Sequence, residues 1–199
     1  MAVTAEQVKE LRGKTGAGFM DCKQALTEAN GDMAAAVDAL RKHGIDVAMK
    51  REGKAAHEGV IASYIHAGNQ IGVLVDLRCE TDFVARTDEF REVARDLAMQ
   101  VAAMQPQWVE PDDVPADVLE HERTVLTEQA LAEGKPEHIV EKMVEGRIQK
   151  FFAEHCLLKQ PSIRDDSVTV EDQLNDLVAA CGEKVRLHRF VRYQIGEDE

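Results

Sequence analysis

A change in hydrophobic periodicity between residues 71 and 104 constrains the fold more than any other feature of the sequence. From Ile71 to Glu80 apolar residues alternate with other residues, which is the two-residue period of a strand with one buried face. After Asp88 the apolar residues recur at steps of three and four, which is the period of an amphipathic helix; they are Phe90, Val93, Leu97, Val101 and Met104. The sequence therefore predicts a strand, a turn and a helix, in a fold where helices pack on a sheet.

The predicted turn between this strand and this helix reads Thr81-Asp82-Phe83-Val84. Connections usually run over the surface among polar residues, so the aromatic Phe83 is unusual there. An exposed aromatic on a rigid turn suits insertion into a partner's pocket, because little side-chain entropy is lost on binding. A large apolar side chain is also commonly buried, and Phe83 could fold back into the core. The residues alone leave both interpretations open.

Composition indicates a folded, soluble protein. The 199 residues, 44% hydrophobic and 31% charged, are enough for a sizeable core and more than one packing unit. The first residues lack the pattern of a signal peptide, and no apolar run approaches the ~20 residues of a membrane span. We therefore expect a cytoplasmic protein with no membrane association. The cysteines are scattered and should be free thiols, at Cys22, Cys79, Cys156 and Cys181.

Charge is distributed unevenly along the chain. The net charge of −13 opposes nucleic-acid binding, because phosphate contacts require a basic face. Residues 1–54 carry 9 Lys and Arg against 8 Asp and Glu, whereas residues 55–199 carry 15 against 29. This shift predicts two domains, an amino-terminal domain over residues 1–54 that ends in a basic linker and a core over residues 55–199.

Three short helices are predicted in the amino-terminal domain. A capping box at Thr4 and Gln7 begins the first, and the second covers about residues 19–29. Asp32 caps the third, which Gly44 is expected to end. Helices this short are stable only when they pack together, so we predict a compact three-helix module.

The core is predicted to combine a small sheet with helices. Two β-rich runs form a hairpin over residues 60–80, and residues 184–195 add a third antiparallel strand. An acidic, proline-bearing segment over residues 106–122 predicts an extended surface loop that passes into a helix near residue 117. Two helices joined through Gly134-Lys135-Pro136 then form a helical hairpin. The fold class is therefore α+β, with a three-stranded antiparallel sheet packed with helices.

Catalytic signatures are missing from the sequence. Gly13-Lys14-Thr15 resembles the end of a phosphate-binding loop, but that signature needs a glycine where Val8 stands and a strand where a helix is predicted. His155 and Cys156 are neighbours and would point in different directions on a helix, and the histidines show no metal-ligand spacing. We predict no enzymatic activity, no metal and no cofactor.

The chain resembles the bacterial elongation factor Ts family over nearly its whole length. The resemblance is carried at the amino terminus by Thr4, Val8-Lys9-Glu10-Leu11-Arg12, Lys14-Thr15-Gly16-Ala17-Gly18-Phe19-Met20-Asp21-Cys22-Lys23, Ala25-Leu26 and Ala29-Asn30-Gly31-Asp32. In the core it is carried by Thr81-Asp82-Phe83-Val84, the segment 141–147, Gln160-Pro161 and Phe190-Val191-Arg192. Segments in the right order along the whole chain are more specific than any single motif.

This resemblance implies a guanine-nucleotide exchange factor for elongation factor Tu that performs no chemistry of its own. The amino-terminal module is similar to ubiquitin-associated three-helix domains and would touch the GTPase domain of Tu through Val8, Phe19 and Met20. The turn formed by Thr81, Asp82, Phe83 and Val84 would enter Tu near its Mg²⁺ site and weaken nucleotide binding. The alternative, from another functional class, is an adaptor whose three-helix module binds ubiquitin-like or helical ligands without affecting nucleotides.

The chain is similar to the short form of the family. Longer members carry a duplicated core and an inserted coiled coil, whereas this sequence has one such turn and one β-hairpin, which carries Tyr64 and His66 from the part similar to the second core copy. A single core copy leaves a sheet edge or an apolar face uncovered, and two-fold self-association is the commonest remedy. We therefore expect a homodimer.

Overall fold

The computed structural model describes residues 3–134 and 136–197, which form eight α-helices and three β-strands. The predicted α+β class and the three-stranded antiparallel sheet are confirmed. Lys135, in the predicted joint of the helical hairpin, lies outside the described residues. The elements in chain order are α1 (Ala5–Thr15), α2 (Phe19–Glu28), α3 (Met33–Arg51), β1 (Glu58–Ile65), β2 (Ile71–Cys79), α4 (Asp82–Ala85), α5 (Asp88–Met104), α6 (Ala116–Ala132), α7 (Glu137–His155), α8 (Val170–Cys181) and β3 (Val185–Gln194).

The described residues divide into two compact units. The sheet unit contains the residues up to Met99 and those from Glu171 onward, and the hairpin unit is Gln100–Val170. The three amino-terminal helices are therefore grouped with the sheet. Whether residues 1–54 fold and open independently of the core, as the charge distribution predicts, stays a prediction.

The amino-terminal helices have a hydrophobic core of their own. The capping box that begins α1 is present: Thr4 N–H donates to Gln7 Oε1 at 3.0 Å, and Gln7 N–H donates to Thr4 Oγ1 at 3.3 Å. The side chains of all three helices meet in one cluster, formed by Val8, Leu11, Ala17, Cys22, Ala25, Leu26, Ala36 and Leu40. This cluster is what makes helices of 10 and 11 residues stable.

The third helix does not end at Gly44, and the prediction that it stops there is wrong. Helix α3 continues for two more turns to Arg51, and Gly44 is buried in its interior. A Cβ at Gly44 would lie 2.8 Å from the backbone oxygen of Asn175 in α8. The glycine therefore serves the close approach of two helices and does not act as a helix terminator. The predicted basic linker is in part the last turns of α3.

The sheet has the strand order β1-β2-β3, with β2 in the centre. In the antiparallel register Ala62 and Phe190 flank Val75, and Val60 and Leu187 flank Leu77. The alternate residues of β2 that face the helices are buried, namely Val73, Val75, Leu77 and Cys79. The two-residue period of the sequence is thus the period of this buried face.

In the hairpin unit, α6 and α7 pack around Leu126, Ala130, Val140, Val144 and Ile148. Residues 106–115 were predicted as an extended surface loop, and this prediction is wrong in part. Pro106 is buried, and the centre of the Trp108 ring lies 6.0 Å from that of Phe151. The backbone N–H of Trp108 donates to the backbone oxygen of His155 at 3.2 Å. The segment is held against the end of α7, because its backbone finds hydrogen-bond partners there.

Candidate functional site

The predicted turn is a single helical turn that follows β2. Thr81 is the N-cap of α4, and its Oγ1 accepts a hydrogen bond from Val84 N–H at 3.5 Å. Thr81 begins the turn in an extended conformation, and Arg86 closes it through a hydrogen bond from its N–H to Asp82 O. A threonine that directly follows a strand is well suited to begin such a turn, since its hydroxyl satisfies a free N–H of the first turn.

Phe83 projects from this turn into solvent. Its side chain is 80% exposed, whereas Ala85, two residues later, is buried. The interpretation of Phe83 as a core residue is therefore excluded in this structure. An apolar ring of this exposure on an ordered, capped turn is available to a partner, and its presentation costs the folded chain no packing.

Asp82 and Val84 flank the exposed ring. Asp82 pairs with Arg86 across one turn at 2.8 Å; the Arg86 side chain is largely exposed and that of Asp82 is 45% exposed. An exposed pair of this kind contributes little to stability, so the Asp82 carboxylate can exchange Arg86 for a group on a partner. Val84 is half-buried.

Two carboxylates, those of Glu183 and Glu80, form a hydrogen-bond network at the start of the turn. This network was not predicted from the sequence. Glu183 Oε1 accepts from Thr81 Oγ1 at 2.7 Å, and Glu183 Oε2 accepts from Thr81 N at 3.0 Å. Glu80 accepts from Lys184 N–H at 2.7 Å and from Arg51 at 3.1 Å. These contacts join residues as far as 104 positions apart in the chain. No local pattern in the sequence could have signalled them.

The two thiols near this network are not nucleophiles. Cys79 donates to Thr81 O at 3.1 Å, and burial raises its pKa to about 11. Burial likewise raises the pKa of the half-buried Cys181 thiol. A thiol with a raised pKa stays protonated and unreactive near neutral pH. All four cysteines are free thiols within the chain.

The three candidate residues of the amino-terminal module differ in exposure. Phe19 and Met20, at the start of α2, are exposed, and Met20 is 68% exposed. Val8 is only 2% exposed and lies in the core of the module, so its side chain is not on the surface. Two further exposed apolar residues, Ile45 and Met49, lie on the part of α3 that was predicted as linker.

The face of the sheet that lies opposite the buried residues of β2 is exposed and carries apolar side chains beside charged ones. It carries the exposed side chains Ile61, Ile65, Leu74, Val191 and Tyr193. Asp76, on the same face, is only 8% exposed and accepts hydrogen bonds from Arg78 at 2.8 and 2.9 Å. These bonds from the Arg78 guanidinium hold the pKa of the Asp76 carboxyl below its usual value.

Within the described part of the chain, no group of three or more His, Cys, Asp or Glu side chains could hold a metal ion. None of the described helices is both long and apolar enough to span a membrane.

Comparisons with known proteins agree in one family. Residues 6–197 match the family model described as elongation factor Ts. The chain is 56% identical to elongation factor Ts of Carboxydothermus hydrogenoformans over 195 residues, which cover 98% of this chain and 90% of that protein. It is 55% identical to elongation factor Ts of Moorella thermoacetica, with 98% and 96% covered. It is 54% identical to elongation factor Ts of Syntrophus aciditrophicus, with 100% and 98% covered.

Proposed function

The chain belongs to the elongation factor Ts family, and from this premise we propose that Phe83 is the residue with which it loosens the nucleotide held by elongation factor Tu. The family is one of nucleotide exchange factors in translation elongation, so the partner is Tu and the factor itself performs no catalytic chemistry. As a bacterial translation factor the chain works in the cytoplasm. The sequence left a second interpretation open, an adaptor that leaves the nucleotide in place. A nucleotide exchange factor does not act in this way.

The observation that carries the proposal is the 80% exposure of Phe83 on a capped turn. The ring enters Tu beside the Mg²⁺ and phosphate site, and Thr81, Asp82 and Val84 set its direction. Asp82 exchanges its exposed partner Arg86 for a polar group of Tu. Displacing the groups that support the ion and the phosphates weakens GDP binding.

Exchange of this kind is a reciprocal coupling between two ligands of Tu. A factor that favours the nucleotide-free state must bind the nucleotide-loaded state less well by the same free energy. Each tenfold loss in GDP affinity requires about 1.4 kcal/mol of differential interaction. A few contacts formed only when the nucleotide site has opened are therefore sufficient.

The amino-terminal module provides a second contact, with the GTPase domain of Tu. Phe19 and Met20 form it directly, because both side chains are exposed. Val8 acts through packing, because its side chain fixes α1 within the module core. These contacts do not depend on the state of the nucleotide, so they contribute to affinity for Tu more than to the speed of release.

The experiment that tests the proposal follows fluorescent GDP as it leaves Tu in the presence of increasing amounts of this protein. The wild-type chain should raise the release rate to a plateau. Replacement of Phe83 should lower that plateau, and replacement of Met20 should instead raise the concentration needed to reach half of it. A Phe83 variant that releases GDP at the wild-type rate would contradict the proposal.

We also propose that the chain forms a homodimer through the exposed face of its sheet. The face carries five exposed apolar side chains, and monomeric proteins rarely leave large contiguous apolar patches open to water. Asp76, the buried carboxylate of this face, is already paired with Arg78, and Arg189 approaches it at 3.6 Å. A second copy can therefore cover the face without burying the Asp76 carboxylate unpaired.

A further inference from the structure

We propose that Glu183 is the positioning residue of the exchange reaction, which it serves by fixing the Thr81 hydroxyl in the orientation that caps α4. The inference rests on the proposed role of Phe83. Both oxygens of the half-buried Glu183 carboxylate accept hydrogen bonds from Thr81, so its effect on the turn passes through Thr81.

The atom to which the Thr81 hydroxyl donates its proton determines which of its lone pairs are left to cap α4. A threonine hydroxyl has one proton to donate and lone pairs with which to accept. The Thr81 proton is directed to Glu183 Oε1 at 2.7 Å, a short bond to a charged acceptor. The lone pairs of Thr81 Oγ1 then face Val84 N–H, whose hydrogen bond caps the start of the turn that presents Phe83.

The second oxygen of the same carboxylate fixes the backbone of Thr81. Glu183 Oε2 accepts from Thr81 N at 3.0 Å, so both oxygens of one carboxylate hold one residue. A bidentate contact restricts orientation as well as distance, and it leaves the extended N-cap conformation of Thr81 little freedom. The direction of the Phe83 side chain is then set before any partner arrives.

The chain around Glu183 is built to place that carboxylate. Helix α8 ends at Cys181, and Gly182 follows with φ +68°, a left-handed conformation that reverses the chain. The next residue, Lys184, donates its N–H to Glu80 at 2.7 Å, and Glu80 is itself paired with Arg51 of α3. Glu183 therefore lies on a connection that is fixed on both sides.

A pre-formed turn affects one kinetic parameter selectively. Phe83 is inserted into Tu in the nucleotide-free complex and not in the nucleotide-loaded one. A turn that holds the ring in the wrong orientation therefore lowers the plateau of GDP release. The contacts of Phe19 and Met20 remain, so the concentration at half-plateau should change little. A loss of folded protein would instead change the apparent concentration of active factor and leave the plateau unchanged.

The test is a double-mutant cycle on the full chain, with fluorescent GDP release from Tu measured against factor concentration. Glu183→Ala should lower the plateau roughly tenfold, the cost of one charge-assisted contact. The double variant Glu183→Ala/Phe83→Ala should be no slower than Phe83→Ala alone, because a positioning residue has no effect once the ring it positions is gone. Glu133→Ala is the matched control, because Glu133 accepts from Arg147 at 2.8 Å in the hairpin unit, and this variant should leave the plateau unchanged.

Two results would overturn the inference. The first is a plateau for Glu183→Ala equal to that of the wild type. The second is a double variant whose fall in the plateau equals the product of the falls caused by Glu183→Ala and Phe83→Ala alone. If Glu183→Ala does not fold, Glu183→Gln takes its place in the same cycle, with a smaller fall in the plateau expected because one acceptor oxygen remains. A normal plateau for Phe83→Ala would instead show that the proposed role of Phe83 has failed, which separates the two proposals.

Discussion

At the scale of the residue, the exposed position of Phe83 gives a prediction that separates function from stability. Phe83→Ala should lower the plateau of GDP release from Tu severely, while the melting temperature stays within a few degrees, because an 80% exposed side chain contributes little to folding. Release kinetics and thermal melting of the same sample check both halves. A melting temperature far below that of the wild type would show that Phe83 is a core residue after all.

Phe90 provides the matched control for this prediction, because it is the same residue type seven positions further on and is fully buried. Phe90→Ala should cost about 3–5 kcal/mol of unfolding free energy through the cavity that it leaves. A chain of this size should then melt lower by roughly 10 °C. The contrast between two phenylalanines tests the exposure of Phe83 directly.

At the scale of the element, the packing of α3 on α8 depends on Gly44. Gly44→Ala should destabilise the fold by about 1–3 kcal/mol, because the new Cβ would meet the backbone oxygen of Asn175 at 2.8 Å and α3 must move away. Chemical denaturation measures this loss. The change would otherwise favour the helix, so a stabilised variant would show that the two helices are not held this closely.

Gly13 is the control for Gly44, since it also lies inside a helix but has nothing within 4 Å of an added Cβ. Gly13→Ala should stabilise the fold by roughly 0.5–1 kcal/mol through helix propensity alone. Opposite signs for the two substitutions would be the signature of helix–helix contact at Gly44.

At the scale of the whole molecule, the amino-terminal domain is proposed to open separately from the core. The cluster that stabilises it contains only residues of α1, α2, α3 and the short α1–α2 connection, so these helices can lose their order while the sheet stays folded. Amide hydrogen exchange should show lower protection in α1 and α2 than in β2. Exchange of all these elements in one cooperative step would show that residues 1–54 are not a separable domain.

The assembly offers a further prediction at this scale. Sedimentation at micromolar concentration should give the mass of a dimer, and Leu74→Asp should give a monomer, because a charge at the centre of the exposed sheet face cannot be covered by a second copy. Leu131→Asp is the control, since Leu131 is similarly exposed on α6. A wild-type monomer with full exchange activity would exclude the dimer as the working form.

The sequence by itself determined the elements whose signals are local. The capping box at Thr4, the alternation along β2 and the period of α5 each depend on neighbours within a few residues, and the predicted elements are present. The ordered motifs along the whole chain determined the family and its partner. These inferences needed no knowledge of which elements meet.

Only the tertiary structure decided what depends on contacts between distant segments. Sequence periodicity could not tell whether Phe83 faced the core or solvent. It assigned Gly44 to a helix end, because in the sequence a glycine that admits a neighbouring helix cannot be distinguished from a glycine that ends one. The family resemblance implied that Val8 touches Tu, and only the structure shows that its side chain lies in the core of the module. The contact of Glu183 with Thr81 spans 102 positions, and a hydrogen bond acts over about 3 Å of space whatever the separation along the chain.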